Sequence, residues 1–262
     1  LARASFSDLA ARTGSAAVMA LLGFAAVWYG GAAFLTLCAL VAGLMVWELA
    51  RMQGAPQPPQ PALVAAAAVL AAPVLPAPWG ALGLLVVPAM AALVAPGRRL
   101  TFALGAAAMV VATSALVVLR ADDGPVWMLW LVLVVIASDV AGYFAGRLIG
   151  GPKFWPRISP KKTWSGTVAG WICAALVGLV FAASIEGVWA NPLMALSVAM
   201  CLAAQLGDVA ESWIKRRAGV KDASNILPGH GGLMDRFDGL VGAALVLALY
   251  AVLFAFPPGL GG

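Results

Sequence analysis

No charged side chain stands between Thr13 and Trp47, between Thr101 and Leu119, between Gly166 and Ile185, or anywhere after Asp238. Runs of this kind decide the fold class before any other feature is read. About 20 apolar residues in a helix cross the roughly 30 Å hydrocarbon core of a bilayer. In lipid every backbone amide must be bonded inside its own segment or inside a closed barrel. A barrel needs alternating polar and apolar residues, and these runs do not alternate. Composition closes the remaining exits, because 63% of the 262 residues are hydrophobic and only 10% are charged, against about 25% charged in soluble domains. That is too little polar surface to clothe a water-soluble core, so soluble, disordered and coiled-coil chains are excluded. The expected fold is all-α, a polytopic membrane bundle.

Nine spans are expected, at 14–29, 31–49, 62–75, 79–95, 101–119, 126–149, 166–183, 193–206 with a polar continuation, and 240–256. The third is short and flanked by proline. Five spans form an N-terminal part, residues 1–125. Residues 126–262 form a C-terminal part whose two hydrophilic segments, 150–165 and 213–239, must carry any soluble chemistry. Residues 1–12 place Leu1, Phe6 and Leu9 among polar groups, as a short helix lying on the inner leaflet would. No internal repeat is visible, which weighs against common transporter architectures.

Lysine and arginine favour cytoplasmic loops. With the N-terminus in the cytoplasm, all 16 lysines and arginines except Arg120 fall on that side. An even number of spans breaks this pattern, so the charges support nine. The net charge of +5 therefore reports topology, and no nucleic-acid partner is expected. Cys38, Cys173 and Cys201 lie in apolar runs and read as small buried hydrophobes. A single histidine, His230, excludes a multi-histidine metal site.

Carboxylates inside a membrane are costly and mark functional sites by default. Asp139 interrupts the sixth span, where a helix places it on one face with Tyr143 and Gly146. The alternative for Asp139 is a structural partnership with Arg147. Gly142 and Gly146 would allow a close approach by another helix or by a substrate. Asp208, Glu211 and Ser212 follow i, i+3, i+4 spacing at the polar end of the eighth span, and Asp235 and Asp238 repeat the i, i+3 spacing. Between them run clustered cations and then a GHGG turn. Hard carboxylate oxygens suit magnesium, while cations and backbone amides suit phosphate oxygens.

The run SWIKRRAGVKDASNILPGHGGLMDRFD from Ser212 to Asp238 resembles the signature of the phosphatidate cytidylyltransferases, or CDP-diacylglycerol synthases. The matching positions include Ser212, Lys215, Arg216, Lys221, Asp222, Pro228, His230, Gly231, Gly232, Asp235, Arg236 and Asp238. The GD-x-x-ES motif from Gly207, the ISPKKTW motif from Ile158 and the pattern from Asp139 to Gly146 also look like family motifs. At Ser165 the family usually carries glutamate.

The resemblance implies transfer of the cytidylyl group of CTP to phosphatidic acid, giving CDP-diacylglycerol and pyrophosphate. It implies a bacterial inner-membrane enzyme with its active site facing the cytoplasm, and a homodimer is one assembly open to it. In that reading Asp208, Asp235 and Asp238 hold magnesium, with room for a second cation. Lys215, Arg216, Lys221 and Arg236 hold phosphates, and Ser212 and Asp139 contribute to substrate binding. Asp208, Lys221, Asp222, His230 and Arg236 form the catalytic group, His230 acting as either a phosphate ligand or a proton carrier. Gly231 and Gly232 belong to a turn that presents amides to pyrophosphate, and Lys161 and Lys162 meet the anionic lipid. Two other classes stay open: a CTP-dependent polyprenol or phytol-type lipid kinase, and a proton-coupled transporter using Asp139.

Overall fold

The computed structural model describes residues 6–94, 98–156, 158–227, 229–254 and 256–259. Among them the order is α1 (Phe6–Tyr29), α2 (Gly31–Met52), α3 (Pro59–Ala71), α4 (Trp79–Leu84), α5 (Val86–Val94), α6 (Arg99–Asp122) and α7 (Pro125–Leu148). A hairpin of β1 (Lys153–Trp155) and β2 (Ser159–Thr163) follows, then α8 (Trp164–Ser184), α9 (Ala190–Ala218) and α10 (Met234–Leu253). Leu1, Arg3, Arg157 and Pro228 lie outside the described residues, as do the side chains of Phe6 and Leu9; of the expected interfacial segment only the backbone from Phe6 onward is described, as the start of α1.

Six helices, α2 and α6 to α10, are long and apolar enough to cross a bilayer. They coincide with six of the nine expected spans. The other three expected spans fall on shorter apolar helices, Thr13–Tyr29, Pro59–Ala71 and Trp79–Val94. The last of these is broken. Pro88 has no N–H to offer Leu84, and its ring crowds the carbonyl four residues back, so α4 stops at Leu84 and α5 begins at Val86.

Two departures from the expected elements matter for the site. Segment 150–165, read as a loop, contains the antiparallel hairpin, with Lys153 opposite Thr163, Trp155 opposite Ser159 and an irregular register between. Among the described residues the hairpin is the one two-stranded sheet beside the helices. It runs directly into α8, because Thr163 ends β2 and caps α8, its hydroxyl accepting from the Gly166 amide at 3.2 Å. Phe154 and Trp164 pack edge to face at 4.9 Å across that junction. The polar continuation of the eighth span is helical throughout, and α9 runs unbroken to Ala218. It ends where Gly219 adopts a φ of 76°. There the amides of Gly219 and Val220 return to the carbonyls of Arg216 and Lys215 at 3.2 and 3.0 Å, the paired bonds that close a helix on a left-handed residue.

The chain forms two compact units, one made of the residues up to Val117 with Ile214–Phe237, the other of Val118–Trp213 with the residues from Asp238 onward. In the first unit Met45, Val46, Leu49, Val69, Val87, Phe102 and Val110 are buried. Helix α3 comes close to α2 at Gly43, where an added Cβ would lie 3.1 Å from the Ala62 carbonyl oxygen.

In the second unit Trp130 is fully buried and donates its indole N–H to Ser197 at 3.0 Å. Phe256 closes over it, with ring centroids 5.2 Å from Trp127 and 5.9 Å from Trp130. Gly142 and Gly146 serve helix packing. A Cβ on Gly166 would lie 2.5 Å from the Gly142 carbonyl oxygen, and one on Gly146 would lie 2.8 Å from the Thr163 hydroxyl. Small residues on both helices thus bring α7 and α8 into backbone contact, as in other membrane helix pairs.

Candidate active site

The second unit gathers three carboxylates. Asp208 and Glu211 project from α9 and Asp238 from the second turn of α10, and one oxygen of each lies within 4.8 Å of the others. The helical spacing of Asp208, Glu211 and Ser212 holds, and the Ser212 hydroxyl donates to Asp208 at 3.3 Å. Glu211 is buried, while Asp208 and Asp238 are half-buried. Asp238 also accepts from the Gly239 amide at 2.8 Å. The gathering depends on a close helix crossing. A Cβ on Gly207 would collide with the carbonyl oxygen of Asp238, and one on Gly242 would collide with that of Ala203. Three like charges at this separation repel strongly unless cations intervene. One cation is already present, since the Lys162 ammonium lies 2.6 Å from Asp208 and donates to the Gln205 carbonyl at 3.2 Å.

Lys162 also lines a cavity of about 470 Å³ in the same unit. Helix α7 contributes Ser138, Asp139, Tyr143 and Arg147 to its wall, the hairpin contributes Lys161 and Lys162, and α8 and α9 contribute Thr167 and Gln205. Arg147 donates to the Tyr143 hydroxyl at 2.8 Å, and Asp139 lines the same cavity beside Lys162. The Asp139–Arg147 partnership weighed from the sequence is thus replaced by a Tyr143–Arg147 bond. Gln205 is fixed by Trp171, whose indole N–H donates to it at 3.1 Å. Three cationic side chains against one carboxylate, Asp139, give a chamber suited to a phosphate. Ser165, at the position where the sequence departs from the family pattern, bonds inward to the Gly150 carbonyl and to Thr163.

The other signature residues lie in the first unit, where most of them hold the loop from Gly219 to Leu233 together. Asp235 meets Lys215 at 2.5 Å, with both side chains largely buried. Its second oxygen accepts from the amides of Ala223 and Gly232 at 2.9 and 2.8 Å. Arg236 donates twice to the His230 carbonyl, at 3.0 and 2.6 Å. His230 Nδ1 is 2.8 Å from the Ser15 hydroxyl of α1. Arg216 donates to the Val220 carbonyl at 3.0 Å, and Lys221 and Asp222 are exposed.

The sequence groups Asp235 with Asp208 and Asp238 as a metal ligand; in the structure Asp235 pairs with Lys215 in the first unit, and among the described residues the three carboxylates that converge are Asp208, Glu211 and Asp238. The i, i+3 spacing on α9 named Glu211 without showing that it meets Asp238. The amides of the GHGG turn were expected to face pyrophosphate. His230 and Gly231 instead donate to the Leu227 carbonyl at 2.9 and 3.2 Å, and Gly232 donates to Asp235. Those three donors are committed within the loop. Sequence reasoning passed over Glu48, Gln205 and Thr163. Only Glu48 carried a signal, a carboxylate in an apolar run.

The model of the cytidylyltransferase family matches residues 10–254. Among curated proteins, the phosphatidate cytidylyltransferase of Brucella suis biovar 1 (strain 1330) is 47% identical over 143 residues, 53% of this chain and 52% of that protein. The Mycobacterium bovis protein of the same name is 41% identical over 138 residues, 52% of this chain and 44% of its own. That of Staphylococcus haemolyticus is 42% identical over 120 residues, 45% of each. The aligned part of the chain spans about half the length of the curated relatives it matches. The family match itself takes in nearly every helix, including those that carry the carboxylates and the cavity, and the chain belongs to the cytidylyltransferase family.

Proposed function

We propose that the protein transfers the cytidylyl group of CTP to phosphatidic acid, releasing pyrophosphate and forming CDP-diacylglycerol. The observation that carries this reading is the pairing, in one unit of apolar helices, of three converging carboxylates with a cation-lined cavity joined to them through Lys162. The names of the relatives agree with it.

In the reaction a phosphate oxygen of the lipid attacks the α-phosphorus of CTP, and the bond to the β-phosphate oxygen breaks as pyrophosphate leaves. Bringing anionic phosphates together is the main obstacle, so positioning and charge neutralisation supply most of the catalysis. Lys161, Lys162 and Arg147 would receive the lipid phosphate in the cavity. Lys162 has a second task, because its ammonium already bridges toward Asp208 and so couples the phosphate pocket to the carboxylates. Asp208, Glu211 and Asp238 form a hard-oxygen donor set that fits a divalent cation, magnesium in this reading. When bound, that ion supplies positive charge to the phosphate oxygens of CTP. A second cation in the same carboxylate set would neutralise further phosphate charge. Lys221 and Arg216, both exposed, would approach the nucleotide phosphates, while Asp235 and Arg236 keep the loop in shape.

In this reading the chemistry is carried mainly by residues 126–262, in a nine-span protein of a bacterial inner membrane with its N-terminus in the cytoplasm. The test is pyrophosphate release by purified protein given CTP, magnesium and phosphatidic acid, with each omitted in turn. Release that requires all three supports the proposal. Release of CDP with a phosphorylated lipid alcohol would replace it with a kinase, and counterflow in liposomes without nucleotide would replace it with a transporter.

A further inference from the structure

Glu48 lies near the end of α2, in the N-terminal part of the chain, and is completely buried. Its partners are 176 to 186 residues away. One carboxylate oxygen accepts from the Ser224 hydroxyl and from the Leu233 amide at 2.8 Å, and the other accepts from the Met234 amide at 2.6 Å. Helix α10 begins at Met234, so the two amides are among the N-terminal donors that a helix cannot satisfy internally. A carboxylate is favoured there by the helix dipole.

The contacts grip the loop at both ends. Ser224 stands where the chain leaves the Ala223–Asp235 bond, and Leu233 stands where it enters α10. The fit leaves no slack: a Cβ on Gly232 would lie 2.6 Å from Glu48 and 2.9 Å from both the Ala223 Cβ and the Ser224 amide. Burying a carboxylate in an apolar helix is costly unless donors surround it, and here three donors do; an apolar residue at this position would leave the Leu233 and Met234 amides without their acceptor.

We propose that Glu48 is a positioning residue for the reaction, fixing the loop 224–233 and the first turn of α10 so that the signature side chains meet the nucleotide in one geometry. The proposal rests on the cytidylyl-transfer reading for its effect on turnover, but not for its effect on the loop. Glu48→Gln keeps the shape and replaces one acceptor oxygen with an amide group that faces donors. Hydrogen exchange on the full-length protein in detergent should then show faster exchange across 222–236, with α7 and α8 unchanged. In the CTP assay Glu48→Gln should lower kcat/KM for CTP by about 10- to 100-fold, as loss of a supporting contact commonly does, and leave KM for phosphatidic acid unchanged. Ser224→Ala removes one contact only, should shift both readouts in the same direction by less, and carries the test if Glu48→Gln does not fold. Unchanged loop protection in a folded Glu48→Gln protein would overturn the proposal. So would a faster-exchanging loop with wild-type kinetics, or equal rises in KM for both substrates. If the wild-type protein shows no CTP turnover, the functional reading fails, while the exchange result still decides whether Glu48 holds the loop.

Discussion

Replacing Gly207 with alanine adds a single methyl group at the point where α9 and α10 touch. That methyl would overlap the Asp238 carbonyl oxygen and lie 3.2 Å from the Asp238 carbonyl carbon and 3.3 Å from the Gly242 Cα. All three are backbone atoms, so no side chain can rotate away. Ordinary contact begins near 3.4 Å, and reaching it requires the helices to separate by roughly 1 Å at this level. Such overpacking costs about 1–3 kcal/mol, which a bundle of this size can absorb and remain folded. The catalytic consequence is larger, because Asp208 is the next residue on α9 and Asp238 is the residue struck on α10. Their approach within 4.8 Å depends on the crossing that the methyl widens, and a misplacement of about 1 Å can cost on the order of 100-fold in rate. The assay is pyrophosphate release as a function of magnesium. We expect Gly207→Ala to raise the cation concentration needed for half-maximal rate and to lower the maximal rate. Gly23→Ala, with nothing within 4 Å of the added methyl, should behave as wild type. Wild-type cation dependence in a folded Gly207→Ala protein would refute the link between helix crossing and cation binding.

Glu211→Gln should raise the cation requirement and reduce turnover by about 100-fold, whereas Asp235→Asn, by breaking a largely buried pair with Lys215, should lower stability by about 3 kcal/mol and leave that requirement unchanged. Cation titration and thermal melts of the two variants check this, and the opposite pattern would make Asp235 the ligand in place of Glu211. Lys161→Ala combined with Lys162→Ala should raise KM for phosphatidic acid in mixed micelles, while Lys221→Ala should raise KM for CTP; equal effects on both substrates would mean one undivided phosphate site. For topology, cysteine at Asn191 should be labelled from outside intact cells and cysteine at Asn225 only after permeabilisation, the reverse pattern inverting the protein.

What could be read along the chain was what depends on neighbours in sequence. Charge-free runs such as Thr101 to Leu119 require helices because lipid offers backbone groups no other partner, and α6, α8 and most of α10 follow from that alone. The spacing of Asp208, Glu211 and Ser212 placed them on one face because a helix repeats every 3.6 residues, and the hydroxyl of Ser212 does bond to Asp208. Tertiary structure decided everything that joins distant segments. Gly207 against Asp238 selects which carboxylates converge, and Glu48 reaches Ser224 and the start of α10 from far away in sequence. The GHGG amides, free to face phosphate as far as the sequence shows, are taken by Leu227 and Asp235 once the loop closes. Local periodicity specifies which face a side chain occupies, but which partner it meets there depends on how closely two backbones approach, and in this chain glycines on separate helices set that distance.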